Sequence, residues 1–169
     1  TQKFGPTNIA DYAELELSQA NFQVLERSNL GPLVNEIALA YNLGDPDKAW
    51  RVYSTGVHPG GAWGPALNVC TDAPAFLWRA ELAGQARRVD AWRQVHEHTQ
   101  KSFPKAGIAF VDVDRALAAV AAGDTAAIGP IVAELEERAA KSPAGTVVPR
   151  LAQGLAAYGR GDWTGAVGI

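Results

Sequence analysis

Four glycines, Gly44, Gly84, Gly123 and Gly161, recur along the chain at spacings of 40, 39 and 38 residues. Three are followed directly by aspartate, as Gly44-Asp45, Gly123-Asp124 and Gly161-Asp162. Glycine tolerates the left-handed conformation just past a helix C-terminus, and aspartate caps the N-terminus of the next helix. The dipeptide therefore predicts a tight turn between two antiparallel helices, repeated along the chain. Asp45-Pro46-Asp47 is the clearest instance, with proline at the first helical position and a second acid in the first turn. After Gly84 the turn is longer, and Asp90 is the expected cap.

Aligning the units on their glycines brings further positions into register. Alanine stands four residues earlier in every unit, as Ala40, Ala80, Ala119 and Ala157, which lets the two helices of a hairpin approach closely. Val113, Leu117 and Val120, and likewise Leu151, Leu155 and Tyr158, have the i, i+4, i+7 spacing of one buried helical face. Alanine occurs 31 times and β-branched alternation is missing, so the periodic segments read as helix, not strand. The expected fold is all-α: a right-handed solenoid of antiparallel helical hairpins, tetratricopeptide-like, with a period of about 39 residues. One domain, 1–169, would hold an N-terminal helix over about 8–27 and hairpins over about 32–56, 66–101, 108–141 and 147–169. The last helix, from Asp162 to Ile169, is too short to bury its own face. Trp163 and Val167 are then expected to be covered by another molecule, unless the chain was cut there.

Composition narrows the function classes. A net charge of -3 argues against nucleic-acid binding, since no basic face would release phosphate counterions. One cysteine excludes an internal disulfide and a multi-cysteine zinc site. No apolar run approaches the roughly 18 residues of a membrane span, and Thr1 to Pro6 do not form a secretory leader. Methionine is absent, position 1 included, which predicts a processed or excised piece. The expectation is a cytoplasmic protein, and the Ala/Gly-rich composition points to a bacterial source. No phosphate loop, nucleophile elbow, paired zinc ligands or dinucleotide fingerprint is present, so no cofactor, metal or catalytic residue is assigned.

Within the hairpins, Thr71-Asp72-Ala73-Pro74-Ala75-Phe76-Leu77-Trp78-Arg79-Ala80-Glu81-Leu82-Ala83-Gly84 resembles the VDA-x-x-LLWRLEL-x-G stretch of the tetratricopeptide repeat protein 38 family. Asp90-Ala91-Trp92-Arg93 is similar to that family's following D-R-W-R. Phe110 to Leu117 resembles its F-N-D-x-H-A motif, with Val111 and Asp114 where the family has asparagine and histidine. Leu151 to Val167, with Tyr158-Gly159-Arg160-Gly161-Asp162-Trp163, is similar to its L-x-x-A-x-x-x-FGRGDY-x-x-A-V segment. The resemblance covers about 32–169 and implies a helical-repeat fold corresponding to the C-terminal part of a longer family member. It brings no assigned reaction, and the family's histidine-rich helix has no counterpart near 32–41.

The residues that could carry chemistry form a charged ladder. Glu36, Arg79 and Arg115 fall on equivalent or adjacent turns of successive first helices, which line the concave surface of a tetratricopeptide-like array. Asp112 and Asp114 add carboxylates there, although Asp112 and Arg115, three apart, make an intrahelical ion pair the simpler expectation. Such a ladder suits a peptide terminus or a small acid, with arginine as the bidentate partner. The loop Ser54 to Pro65 is rich in Gly and Pro and holds His58 and Trp63, which either roof a pocket or only bridge two hairpins. His96 and His98, two apart on a helix, diverge by about 200° and read as half-exposed surface residues, not a metal pair. Cys70 reads as a small buried hydrophobe, and Trp50, Trp78, Trp92 and Trp163 as core.

Two functions follow. The first is a scaffold that binds a protein or peptide segment, or a second copy of itself, through its concave face. The alternative is a small-ligand receptor or unusual enzyme with a polar pocket of Arg79, Asp112, Asp114 and Arg115 beneath the His58–Trp63 loop.

Overall fold

The computed structural model describes residues 44–62 and 64–169. The helix expected over 8–27, the first helix of the hairpin over 32–56, Glu36, Ala40 and Trp63 lie outside the described residues. Contacts divide the chain between Pro65 and Ala66 into two compact units. Among the described residues every regular element is helical, in agreement with an all-α fold.

In the first unit, α1 (Pro46–Val52) begins on the proline the sequence placed there, and Asp45 Oδ1 accepts the Lys48 N–H at 2.8 Å. The helix continues into a π-helical turn, Tyr53–Val57, which buries Tyr53 and Val57.

The second unit contains six helices: α2 (Ala66–Leu82), α3 (Val89–Ser102), α4 (Ala109–Ala122), α5 (Thr125–Ala139), α6 (Val147–Gly159) and α7 (Trp163–Gly168). The turns that join α2 to α3, α4 to α5 and α6 to α7 follow one backbone plan. Gly84, Gly123 and Gly161 have φ of 86°, 78° and 75°. After each glycine, the next N–H reaches back to the alanine carbonyl: Gln85 to Ala80, Asp124 to Ala119 and Asp162 to Ala157, each at 3.0 Å. The glycine N–H bonds the residue in between, Glu81, Val120 or Tyr158. This is the Schellman closure, and it satisfies two carbonyls that a helix end leaves open. The registered alanine is thus the residue whose carbonyl closes the turn while its methyl is buried against the partner helix.

Asp124 and Asp162 cap α5 and α7 through the N–H groups of Ala127 and Gly165. Asp90 does not cap α3. The longer turn places Arg88 at the cap position, with no side-chain bond, and puts Asp90 in the first turn, where it pairs with exposed Arg93.

Successive helices pack on each other throughout the unit, and α4 also packs on both α2 and α6. Surrounded in this way, α4 is buried on nearly every side, including Val111, Ala116, Leu117, Ala118, Ala119 and Ala121. The core between α4, α5 and α6 is built from Ala116, Ala119, Ile131, Leu135, Val148 and Ala152.

The stripe Leu151, Leu155, Tyr158 is not the buried face of α6. That face is Val148, Ala152 and Ala156, flanked by Pro149 and Ala157. Small side chains let α6 approach α4 and α5 closely, Leu155 packs half-buried at the edge of that core, and Leu151 and Tyr158 are left on the open side. Gly159 marks the tightest approach, because a Cβ there would overlap the Val120 side chain. Gly159→Ala is therefore expected to cost about 1–3 kcal/mol by overpacking. Adding Val120→Ala should return part of that loss in urea denaturation. An unchanged midpoint in the single variant would mean that α6 shifts without penalty.

Candidate functional site

The expected ladder divides between two faces of α4. Asp112 and Asp114 stand two residues apart, so their side chains diverge by about 200°.

On one side Asp114 faces α2. Burial pushes its carboxyl up to about 7, the negative charge of Asp72 adds to that, and Arg79 opposes it. Asp72 is also raised, by burial first, against its bond with Thr71 and the charge of Arg79. Arg79 and Asp114 are thus brought together as the sequence suggested, with Asp72 as a third member that the sequence pattern had not singled out. Asp72 stands seven residues before Arg79, two turns along the same face of α2, and that spacing could have revealed it. Cys70, two residues before Asp72, is fully buried. Its thiol is pushed up by burial, which disfavours the thiolate, and it packs as a small hydrophobe.

On the other side Asp112 and Arg115 are both buried, but they do not pair with each other. Arg115 Nη1 donates to Glu134 Oε2 of α5 at 2.8 Å, and Asp112 Oδ2 accepts the Gly107 N–H at 3.1 Å. Glu134, from across the hairpin, takes the guanidinium in place of the expected intrahelical partner. Glu134 also accepts the Ala106 N–H through Oε1 at 2.9 Å. Burial pushes Glu134 up, but the Ala106 N–H and the Arg115 guanidinium outweigh it and hold the carboxyl below its ordinary value. The two acids therefore pin the connector between α3 and α4. Burial raises the Asp112 carboxyl, against the Gly107 N–H and the charge of Arg115.

His58 belongs to the first unit, and its described contacts are local. Its Nδ1 accepts the Gly60 N–H at 3.0 Å and its ring leans on Tyr53 at 6.1 Å between centroids. Gly60 and Gly61 allow this, since a Cβ on either would press into the imidazole. His96 is not half-exposed as expected. It is buried, within 3.1 Å of Asp124 Oδ2, so the acid that caps α5 also ties α3 to that turn. Among the described residues no three His, Cys, Asp or Glu side chains stand together in a way that could hold a metal ion. No helix among them is long and apolar enough to cross a membrane.

The largest departure from the expected site is apolar. The open side of α6 forms one wall of a groove of about 550 Å³, whose lining includes Trp78, Leu151, Leu155, Tyr158, Val167 and Ile169. Trp78, Tyr158 and Trp163 form an edge-to-face series with ring centroids 5.3 and 4.9 Å apart. Trp163, expected in the core, is 59% exposed, and Val167 is 89% exposed. Arg150 closes one end by donating to the Ile169 carbonyl. The i, i+4, i+7 spacing revealed this stripe but not its side, because the direction was set by the alanines opposite.

No family model, no curated protein and no solved structure matches this chain.

Proposed function

We propose that the chain is a tetratricopeptide-like helical-repeat module that binds an apolar protein segment in the groove between α6 and α7. The observation that carries the reading is the exposed row Leu151, Tyr158, Trp163 and Val167, joined by half-buried Trp78, beside that groove. A contiguous apolar surface of this kind on a water-facing helix marks an interaction site. Large aromatic side chains also carry much of the energy in protein interfaces.

The packing pattern supports the repeat reading. The first helix of each hairpin touches the first helix of the next, as α2 with α4 and α4 with α6, while α3 and α5 share no comparable contact. In a tetratricopeptide-like array that alternation puts first helices on the inner surface, and the groove draws on α2 and α6. The resemblance to the tetratricopeptide repeat protein 38 family agrees with this proposal. An amphipathic helix with apolar residues at i, i+3, i+4 and i+7 is the occupant that fits an open apolar channel.

Selection of displayed amphipathic peptides against the purified chain tests the proposal, with Leu151→Glu as the counter-screen. Leu151 is half exposed, so the substitution should leave the fold intact. Enriched peptides should carry the helical apolar spacing and bind Leu151→Glu at least about tenfold more weakly. If no peptide is enriched, or the variant binds equally, the groove is not a recognition surface. If a concentration-dependent dimer forms that Leu151→Glu dissolves, the occupant is a second copy.

A further inference from the structure

A second cavity, of about 480 Å³, lies where the connector before α4 meets the end of α5 and the start of α6. Its lining combines Asp112, Arg138 and Lys141 with apolar Leu135, Val148 and Pro149. One wall is held in place by the two connector bonds, Ala106 N–H to Glu134 and Gly107 N–H to Asp112. A site built in this way has its geometry set before any ligand arrives.

The cavity lining holds charges of both signs. Asp112 is 5% exposed and gives only Oδ2 to the protein, since Arg115 is committed to Glu134. Arg138 and Lys141, one turn apart near the end of α5, make no ion pair among the described residues. The Arg138 Nη2 lies 3.7 Å from where a Cβ on Gly107 would stand, so the guanidinium sits beside the backbone that bonds Asp112. At the start of α6 the Thr146 side chain makes no capping bond, which leaves the positive end of a 13-residue helix without a side-chain acceptor on the same side as the two cations. Glu137, also on the wall, is exposed and balances the cations without filling the interior.

We propose that this cavity binds a small zwitterion of the α-amino-acid class. The ammonium group pairs with the free oxygen of Asp112. The carboxylate lies between Arg138, Lys141 and the start of α6, and an apolar side chain rests on Leu135 and Val148. A ligand with one charge of each sign satisfies both ends and leaves the surroundings neutral, whereas a simple anion or cation leaves one end opposed. The site is separate from the groove of α6 and α7, so it stands whether or not that groove binds a peptide.

Calorimetric titration of the purified chain with L-leucine tests the proposal, beside N-acetyl-L-leucine, which lacks the ammonium charge, and L-leucinamide, which lacks the carboxylate. L-leucine should bind below about 10 mM, and loss of either charge should weaken it at least about tenfold. Asp112→Asn should weaken it to a similar degree. Because Asp112 also holds the connector, Arg138→Gln at an exposed position provides a variant that keeps the fold and should lose at least about fivefold in affinity. The assignment is overturned if neither L-leucine nor any other proteinogenic amino acid binds. It is also overturned if N-acetyl-L-leucine binds as tightly as L-leucine, or if Arg138→Gln leaves the affinity unchanged.

Discussion

Replacing Trp92 by alanine should unfold the second unit at temperatures where the native chain is fully folded. Trp92 is completely buried at the centre of the α2–α3 hairpin. Its Nε1 donates to Glu81 Oε1 at 2.6 Å, and the other oxygen of Glu81 holds Arg87 at 2.7 Å. Truncation to alanine removes the largest fully buried side chain among the described residues and leaves a cavity, a change that costs about 3–5 kcal/mol in comparable cores. It also strips the part-buried Glu81 carboxylate of one of its donors, which adds about 1 kcal/mol. Domains are commonly stable by only about 5–15 kcal/mol, so the sum removes a large part of the total. For a unit of this size, about 4–8 °C is lost per kcal/mol, and the melting temperature should fall by at least about 15 °C. Trp92→Phe separates the two contributions, because it keeps most of the volume and loses only the hydrogen bond. It should cost about 1–2 kcal/mol. Circular dichroism at the helical minimum during a thermal ramp reads both variants. If Trp92→Ala melts within a few degrees of the native chain, then the hairpin does not depend on this residue.

Trp92 also shows how the sequence and the structure relate. Its burial was legible from its place on a helical stripe, although the same reading failed for Trp163, which is exposed. The turns were legible for a similarly local reason: a glycine with positive φ followed by a capping acid constrains about six residues whatever surrounds them. That is why Gly123-Asp124 and Gly161-Asp162 took the expected form. At Gly84, where no aspartate follows, the cap was misplaced on Asp90. The direction of a side chain was legible only where one helix decides it. Leu151, Leu155 and Tyr158 share a face by spacing alone, but the core lies on the alanine face because α4 approaches there. Arg115 shows the same limit from the electrostatic side. Its sequence neighbour Asp112 was the obvious partner, yet Glu134, nineteen residues away, takes the guanidinium. Long-range pairings of this kind leave no periodic trace. The candidate site was correspondingly half legible: Arg79, Asp112, Asp114, Arg115 and the uncovered Trp163 and Val167 were named, and Asp72, Glu134, Arg138 and the part of the groove at Leu151 were not.

Raising the pH from 5 to 8 should destabilise the native chain, and Asp114→Asn should remove much of that dependence. In the unfolded chain the Asp114 carboxyl returns to its ordinary value of 3.8, while in the folded protein burial and the negative charge of Asp72 push it up to about 7. Between those values the folded state keeps a proton that the unfolded chain has released. Stability therefore falls as pH rises, since its slope follows the protons bound unfolded minus those bound folded. The contribution is fully present below about pH 4, declines across the window and is lost once pH passes about 7. Asp72 acts in the same direction, because its value is also raised. Asp124 and Glu134, held below their ordinary values, act oppositely in more acidic solution, and His98, lowered by burial, opposes part of the loss within the window. A tenfold difference in proton affinity between the folded and unfolded chain corresponds to about 1.4 kcal/mol. Allowing for the water that reaches this half-buried side chain and for its coupling to Asp72, the net loss is on the order of 2–3 kcal/mol. Asparagine carries no charge to bury, so Asp114→Asn should match the native chain near pH 5 and exceed it at pH 8 by about that amount. Urea unfolding of both proteins at a series of pH values checks this. Parallel curves for the two chains would show that the carboxyl of Asp114 is ionised in the fold at little cost, with Arg79 and solvent neutralising it despite the burial.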